Sequence, residues 1–136
     1  MGFPRTFATP QTALLGADVN IPVANTFADA LSLTLGPGTW LVVAAICVQN
    51  SNASNAQHTL RLWDGNAVNY ATGEQGNISS GTSRTTTLVA LIVLTGASNT
   101  VKISATSSLV TSNIKAATPD NPQGNNATSL TAMQVA

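Results

Sequence analysis

The stretch "TWLVVAAICVQ", residues 39–49, contains the longest apolar run of the chain. A second stretch, "LVALIVL" at residues 88–94, is apolar throughout. In an antiparallel strand with one face in water, every second residue is polar. Neither stretch alternates in this way, so we predict that both are β-strands and that both faces of each strand are covered.

Short strands and turns surround these two stretches. "ALSLTL" at residues 30–35 alternates strictly, which directs its leucines inward, and the turn sequence "GPG" follows it. About eight to ten such strands, separated by turn residues and without a helical period, predict an all-β, antiparallel two-sheet sandwich of the jelly-roll type. The Gly/Ser-rich segment 73–83 is expected to be a loop.

The length of 136 residues suits one domain. We assign residues 12–136 to the jelly-roll domain and residues 1–11, which include two prolines, to a short extended N-terminal arm. The N-terminus has no apolar segment of signal-peptide length, and no segment approaches the ~18 apolar residues of a membrane span. We therefore expect a protein that is made in a cytoplasm and stays soluble.

Charge is scarce. Only 7% of the residues are charged, and five basic side chains balance five acidic ones, whereas a typical domain has roughly 25% charged residues. Without a run of Lys or Arg, neither nucleic acid nor an anionic membrane is an expected partner. Thr, Ser and Asn supply the surface polarity instead, and such a surface tolerates close packing against other protein subunits.

The two apolar strands raise the question of what covers their outer side. A sandwich covers only the inner faces of its sheets, and the sequence contains no helix that could pack outside. Another copy of the chain is the simplest cover, with Leu41, Val43, Val89 and Leu91 as the predicted self-association residues. The alternative is that the arm and residues 107–126 fold over this face.

The stretch "LRLWDGNAVNY", residues 60–70, predicts a hairpin. We expect residues 64–66 to form a three-residue loop with Asn66 in the left-handed conformation, which pairs Leu62 with Val68. Asp64 is then a turn residue. No second carboxylate in a recognisable motif is available to make it half of a catalytic pair.

The hairpin leaves Arg61, Trp63 and Tyr70 as candidate contacts for a ligand or partner. A Trp beside an Arg can stack on a sugar ring or anchor a protein contact. The alternative is that a nearby loop covers the Trp. Both possibilities remain open from the sequence.

No pattern typical of catalysis or metal binding is present. His58 is the only histidine and Cys47 the only cysteine, so neither a Ser-His-Asp triad with usual partners nor a metal cluster with nitrogen or sulfur ligands is supported. Cys47 lies within an apolar run and is expected to be a small buried hydrophobe. We predict a protein that is not an enzyme and has no metal and no cofactor.

The order of these features resembles a known family. The successive stretches "TFADALSLTLGPGTWLVVAAICVQ", "LRLWDGNAV", "TTTLVALIVLTGASNTVKISA" and "SLTAMQVA" are similar to the trimeric tumour-necrosis-factor/C1q-like jelly-roll domains in virion proteins of tailed bacteriophages, over roughly residues 18–136. In that family the sheet made of the first, third, penultimate and last long strands packs around a threefold axis. The resemblance implies a homotrimer.

The family includes head decoration (cement) proteins and the receptor-binding tips of fibres. A tip usually ends a longer chain, whereas this chain starts with Met and a short arm, which favours a decoration protein that bridges subunits of the major capsid protein. It would be made in the host cytoplasm and lie on the outer surface of the head. The alternative is a receptor- or carbohydrate-binding tip. Extracellular relatives bind calcium in acidic loops, but here the long loops 50–56, 73–83 and 119–126 contain only Glu74 and Asp120 as acids.

Overall fold

The computed structural model describes residues 6–116 and 128–136. The described residues form ten strands and no helix, and hence no helix that is long and apolar enough to cross a membrane. The strands are β1 (Gln11–Leu14), β2 (Val19–Ile21), β3 (Ala28–Leu35), β4 (Gly38–Asn50), β5 (Ala56–Trp63), β6 (Asn69–Ile78), β7 (Ser83–Leu94), β8 (Asn99–Ser107), β9 (Ser112–Ile114) and β10 (Ser129–Gln134).

The strands form two antiparallel sheets. In the first sheet the order is β1-β10-β4, and β7 pairs along almost the whole of the opposite edge of β4. Past the end of β10, the short strand β9 pairs with the last residues of β4, and β2 pairs with β9. The second sheet has the order β3-β8-β5-β6. The predicted all-β, two-sheet jelly-roll sandwich is confirmed.

The core lies between the two sheets. Alternate residues of β4 point into it, among them the buried Trp40 and Ile46, and the second sheet contributes Leu60, Leu62 and Ile103. Trp40 fills the end of the core next to the "GPG" turn, where its indole N–H donates a hydrogen bond of 3.1 Å to the carbonyl of Gly36. The "GPGTW" stretch therefore ties a turn to the core.

The hairpin between β5 and β6 has a longer loop than predicted. Asp64 N–H donates to the carbonyl of Val68, and Leu62 pairs with Ala71 instead of Val68. The left-handed residue is Gly65, with φ of 82°. The predicted three-residue loop and its register are wrong.

The reason for the longer loop is the Asp64 carboxylate. One of its oxygens accepts hydrogen bonds from the backbone N–H groups of Asn66, Ala67 and Val68, at 2.8 to 2.9 Å. These bonds hold the pKa of Asp64 below its ordinary value. Asp64 is a turn residue, as the sequence predicts, but it organises a wider loop than a tight turn would need.

Replacing Gly65 by Ala tests this assignment. A Cβ at Gly65 would meet only the Lys102 side chain at an ordinary contact distance of 3.6 Å, so the expected cost is that of the left-handed backbone, about 1–2 kcal/mol. Gly65→Asn should cost less because Asn tolerates this conformation, and Asn66→Ala should be nearly neutral. Urea unfolding measures all three variants, and a larger cost at Asn66 than at Gly65 would contradict the assignment.

The segment 73–83, predicted to be a loop, instead continues β6 to Ile78 and begins β7 at Ser83. The buried Gln75 explains this difference. Its Nε2 donates to the carbonyl of Arg84 and to the hydroxyl of Thr86, both at 2.9 Å. Because β6 and β7 are edge strands of different sheets, Gln75 closes one open side of the sandwich.

The arm and the 107–126 segment are described only in part, because residues 1–5 and 117–127 lie outside the described residues. Ala8 N–H donates to the side chain of Gln134 at 2.7 Å, and the first strand begins at Gln11. Within the second segment, β9 lies in the plane of the first sheet, beside β4. The loop 119–126, with Asp120, also lies outside the described residues.

Lys115 and Asp18 form an ion pair near the end of β4. The backbone N–H of Lys115 donates to the carbonyl of Cys47 at 2.8 Å. Cys47 is buried there, and burial raises the pKa of its thiol. A buried thiol with a raised pKa is a poor nucleophile, and Cys47 therefore acts as a small core residue.

Candidate interaction surfaces

The first surface is the outer side of the first sheet, which we name the outer apolar face. On β7 the side chains of Val89, Leu91 and Val93 point away from the core and are 56%, 67% and 71% exposed. On β4 their neighbours Leu41 and Val43 are half-buried. Leu41 pairs directly with Leu91, and Val43 with Val89.

The structure therefore brings the four predicted self-association residues together as two cross-strand pairs on one face. The residues between them along the strands, such as Val42 and Leu88, are buried in the core. Both stretches are apolar at every position because one set of side chains fills the core and the other forms the outer apolar face. Participation of the four residues in self-association stays a prediction at this point.

Three further residues of β1, β10 and the segment after it extend this face. Met133 pairs with Leu41, and Leu14, Met133 and Val135 are all exposed. The outward-facing side chains of β10 are uncharged. The same holds for the outward-facing side chains in the parts of β4 and β7 that lie beside β10. Val93 and Met133 are not among the residues predicted from the sequence, although Val93 continues the same alternation along β7.

The second surface is a cluster on the outer side of the second sheet, built around a group that we name the Arg61 stack: Phe27, Arg61 and Trp63. The central carbon of the Arg61 guanidinium lies 3.8 Å from the ring centroid of Phe27 and 3.4 Å from that of Trp63. Arg61 and Trp63 point outward from β5 because their neighbours Leu60 and Leu62 are buried. Phe27 reaches them from the segment just before β3.

A chain of hydrogen bonds fixes the Arg61 stack. The indole N–H of Trp63 donates to the Ser104 hydroxyl at 2.8 Å, and Ser104 in turn donates to Asp29 at 2.6 Å. Lys102 completes the cluster with an ion pair to the same carboxylate at 3.0 Å. Burial by itself would raise the pKa of Asp29, but the bonds from Ser104 and Lys102 outweigh it, so this pKa lies below its ordinary value.

Tyr70 is not part of this cluster. It packs against the hydrophobic core, and burial raises the pKa of its hydroxyl. Of the three predicted contact residues, the structure brings together Arg61 and Trp63 and separates Tyr70 from them. Phe27 was missed because it is distant in sequence and no local pattern links it to the hairpin.

A third candidate is the buried polar network around His58. Its Nδ1 lies 3.0 Å from Oε1 of Gln75, and its Nε2 lies 3.3 Å from the Ser112 hydroxyl, which donates to Ser107. The order Ser-His-Gln resembles a catalytic relay, but both His58 and Ser112 are fully buried, and a buried nucleophile cannot reach a substrate carbonyl. The network closes the sandwich interior and is structural.

The neighbouring pocket does not change this conclusion. Its volume of about 130 Å³ is well below the ~300–1,000 Å³ of typical small-molecule sites. Six residues of β5 and β6 line it: Gln57, His58, Thr59, Glu74, Gln75 and Gly76. Within residues 6–116 and 128–136, no group of three His, Cys, Asp or Glu side chains is placed to hold a metal ion.

The burial of His58 predicts a pH dependence of stability. Burial lowers the pKa of His58, and the hydrogen bond with Gln75 opposes this only in part. The polar groups that face the ring from β6, β8 and β9 are the uncharged Gln75, Ser107 and Ser112. In the unfolded chain a histidine has a pKa of about 6.5, so below that pH the unfolded chain binds a proton that the folded chain does not.

The free energy of unfolding should therefore be steady above about pH 7 and fall as the pH is lowered from about 6.5 toward the lowered pKa of the folded His58, by up to about 1.4 kcal/mol per pH unit. Chemical unfolding at several pH values measures this. His58→Gln should flatten the profile in that window, because the carboxylates with lowered pKa values, at Asp18, Asp29 and Asp64, lose their stabilising effect only below about pH 4. A flat profile for the unaltered protein would contradict the expectation.

Comparison with known proteins gives a likeness of fold. No protein-family model matches the sequence, and no curated protein matches it. Among solved structures, the chain is similar to the infectious bursal disease virus VP2 subviral particle, with a TM-score of 0.51 and 9% sequence identity, covering 95% of this chain and 34% of that chain. The structure of the Gt strain of the same virus gives a TM-score of 0.48 and 12% identity, covering 93% of this chain and 37% of that chain.

The chain thus spans only about a third of the length of the solved chains that it matches. At 9% identity the first likeness shows a shared fold alone. The solved structure that shares this fold is a virus-particle protein.

Proposed function

We propose that this protein is a structural component of a virion, and more narrowly a decoration protein of a tailed-bacteriophage head that assembles as a homotrimer. The observation that carries the proposal is the outer apolar face. Three consecutive outward residues of β7, namely Val89, Leu91 and Val93, are each more than half exposed, and Leu41 and Val43 continue the face onto β4. Monomeric proteins rarely leave a large contiguous apolar patch uncovered.

Burial of this face would stabilise an assembly substantially. Each fully buried Val or Leu side chain contributes roughly 1.5–3 kcal/mol relative to exposure. The half-buried Leu41 and Val43 contribute less than their β7 neighbours, because the sheet already shields part of them. The strongest association is therefore expected along β7.

A second copy of the chain fits this face better than a charged partner. The outward positions of β10 and of the facing parts of β4 and β7 are apolar or carry small polar residues without charge, and the centres of stable interfaces are depleted in charged residues. The net charge of zero means that copies do not repel one another through a net charge. The resemblance to trimeric virion domains favours three copies around one axis.

The proposed mechanism is mechanical. A trimer bound across a junction between major capsid protein subunits buries surface on each of them, and this raises the free energy needed to separate them. The protein would be made in the host cytoplasm and lie on the outer surface of the head. The fold that it shares with VP2 of a subviral particle supports a virion role.

The alternative of a carbohydrate-binding tip has less support. Sugar rings bind on open aromatic faces, and the Arg61 guanidinium lies over the Trp63 ring at 3.4 Å. Tyr70, the third candidate for that role, packs against the core. The contact residues for a sugar are thus already engaged within the chain.

Mass measurement and particle analysis test the proposal. The purified protein should have three times the 13.8 kDa mass of one chain, by light scattering coupled to size exclusion. Purified particles should contain many copies, and particles that lack the protein should release their contents at lower temperature. A stable monomer would refute the assembly, and a few copies per particle with a changed host range would favour the fibre tip.

A further inference from the structure

The Arg61 stack lies on the side of the sandwich opposite the outer apolar face. Arg61 projects from β5 in the second sheet, and the apolar face belongs to the first. A trimer that buries the outer apolar face therefore leaves the Arg61 stack accessible. A separate partner can use this surface.

Arg61 differs from the lysines in its ion pairing. Lys102 pairs with Asp29 and Lys115 with Asp18. In the described part of the chain no carboxylate lies within ion-pair distance of Arg61, and Asp29 interacts with it electrostatically from farther away. Its guanidinium contacts Phe27 and Trp63 instead. Its Nε is buried and has no hydrogen-bond partner in the same part of the chain.

The surroundings of Arg61 favour a carboxylate as the group that its terminal N–H donors would bind. The two aromatic contacts hold the guanidinium in one orientation. Because Nε is buried, a partner at the surface would bind the terminal Nη groups. A planar fork of N–H donors matches the two oxygens of a carboxylate. Since the orientation is fixed before binding, little side-chain entropy is lost in the complex.

We infer that Arg61 is a recognition site for an Asp or Glu carboxylate on the surface of a protein partner, held in place by Phe27 and Trp63. An acidic protein surface fits better than a saccharide, because Arg61 already lies over one face of each ring. Arg and Trp are also the residues that most often dominate protein interfaces. This inference does not depend on the trimer, because it concerns the other sheet.

Titration with short peptides tests the inference on the whole protein. The probes are a tetraglutamate peptide and its tetraglutamine counterpart, with the 15N resonance of Arg61 Nε as the readout. The glutamate peptide should give a saturable shift that the glutamine peptide does not. A tetragalacturonate that binds while the glutamate peptide does not would overturn the assignment to a protein partner.

Two variants and a control test whether binding depends on the geometry of the guanidinium or only on its positive charge. Arg61→Lys keeps the charge and loses the fork, and should weaken binding of the glutamate peptide, measured by calorimetry, by about tenfold or more. Phe27→Leu keeps Arg61 and removes one ring, and should weaken it by a smaller factor. Arg84→Lys, at an exposed arginine outside the stack, should bind like the unaltered protein.

Equal affinity of the Arg61→Lys and unaltered proteins would overturn the inference, as would an equal effect of Arg84→Lys. If the Arg61→Lys protein does not fold, the affinity of the Phe27→Leu protein and the shift of the Arg61 Nε resonance still test the inference. The oligomeric mass of the Arg61→Lys protein should equal that of the unaltered protein. A failure of this inference is therefore distinguishable from a failure of the proposed trimer.

Discussion

Leu91→Asp is expected to convert the assembled protein into folded monomers. Leu91 is 67% exposed at the middle of the outer apolar face, so a carboxylate there remains in water when the chain is alone and the fold is unaffected. In an assembly the same carboxylate would be buried among apolar residues without a counter-charge, at a cost of several kcal/mol per copy. Because every copy carries the substitution, this cost multiplies with the number of copies.

Light scattering measures the expected fall in mass, and circular dichroism checks that the strands remain. The matched control is Val68→Asp, which introduces the same charge at a valine that is 52% exposed but lies in the β5–β6 loop, away from the face. Its mass should equal that of the unaltered protein. An assembly that persists in Leu91→Asp would show that another surface holds the copies together.

Trp40→Ala is expected to cause the largest loss of stability. Trp40 is almost completely buried, at 1% exposure, and its indole N–H donates to the carbonyl of Gly36. Removal of a buried Trp side chain costs about 3–5 kcal/mol, because both the transfer energy and the packing around the cavity are lost. This is a large part of the roughly 5–15 kcal/mol that stabilises a typical domain.

Urea unfolding gives the free-energy difference. Trp40→Phe should cost less than Trp40→Ala because it keeps most of the apolar volume, although the carbonyl of Gly36 then loses its donor. Val93→Ala, at the most exposed valine of β7, should change the stability of the monomeric Leu91→Asp background by no more than about 0.5 kcal/mol. A Trp40→Ala variant as stable as Val93→Ala would mean that the "GPGTW" corner is not part of the core.

The sequence predicted the two-sheet sandwich because the relevant information is local. The alternation in β3 and the turn residues between strands depend on the pleat of a strand and on backbone preferences. The same information could not decide which alternate residues of β4 and β7 face the core, because a stretch that is apolar at every position has no polar side to mark the solvent. Packing decided it, by placing Trp40, Val42 and Ile92 between the sheets.

Other features depended on contacts between distant segments. The Gly/Ser-rich segment forms strand because Gln75 bridges β6 to β7, and the hairpin register follows from the several hydrogen bonds that one Asp64 oxygen accepts. The Arg61 stack exists because the fold carries Phe27 to the second sheet. By itself the sequence determined most of the strands, the scarcity of charge and the excess of apolar residues. The tertiary structure alone decided which of those residues share a surface, since the pairing of strands brings together side chains that no local period connects.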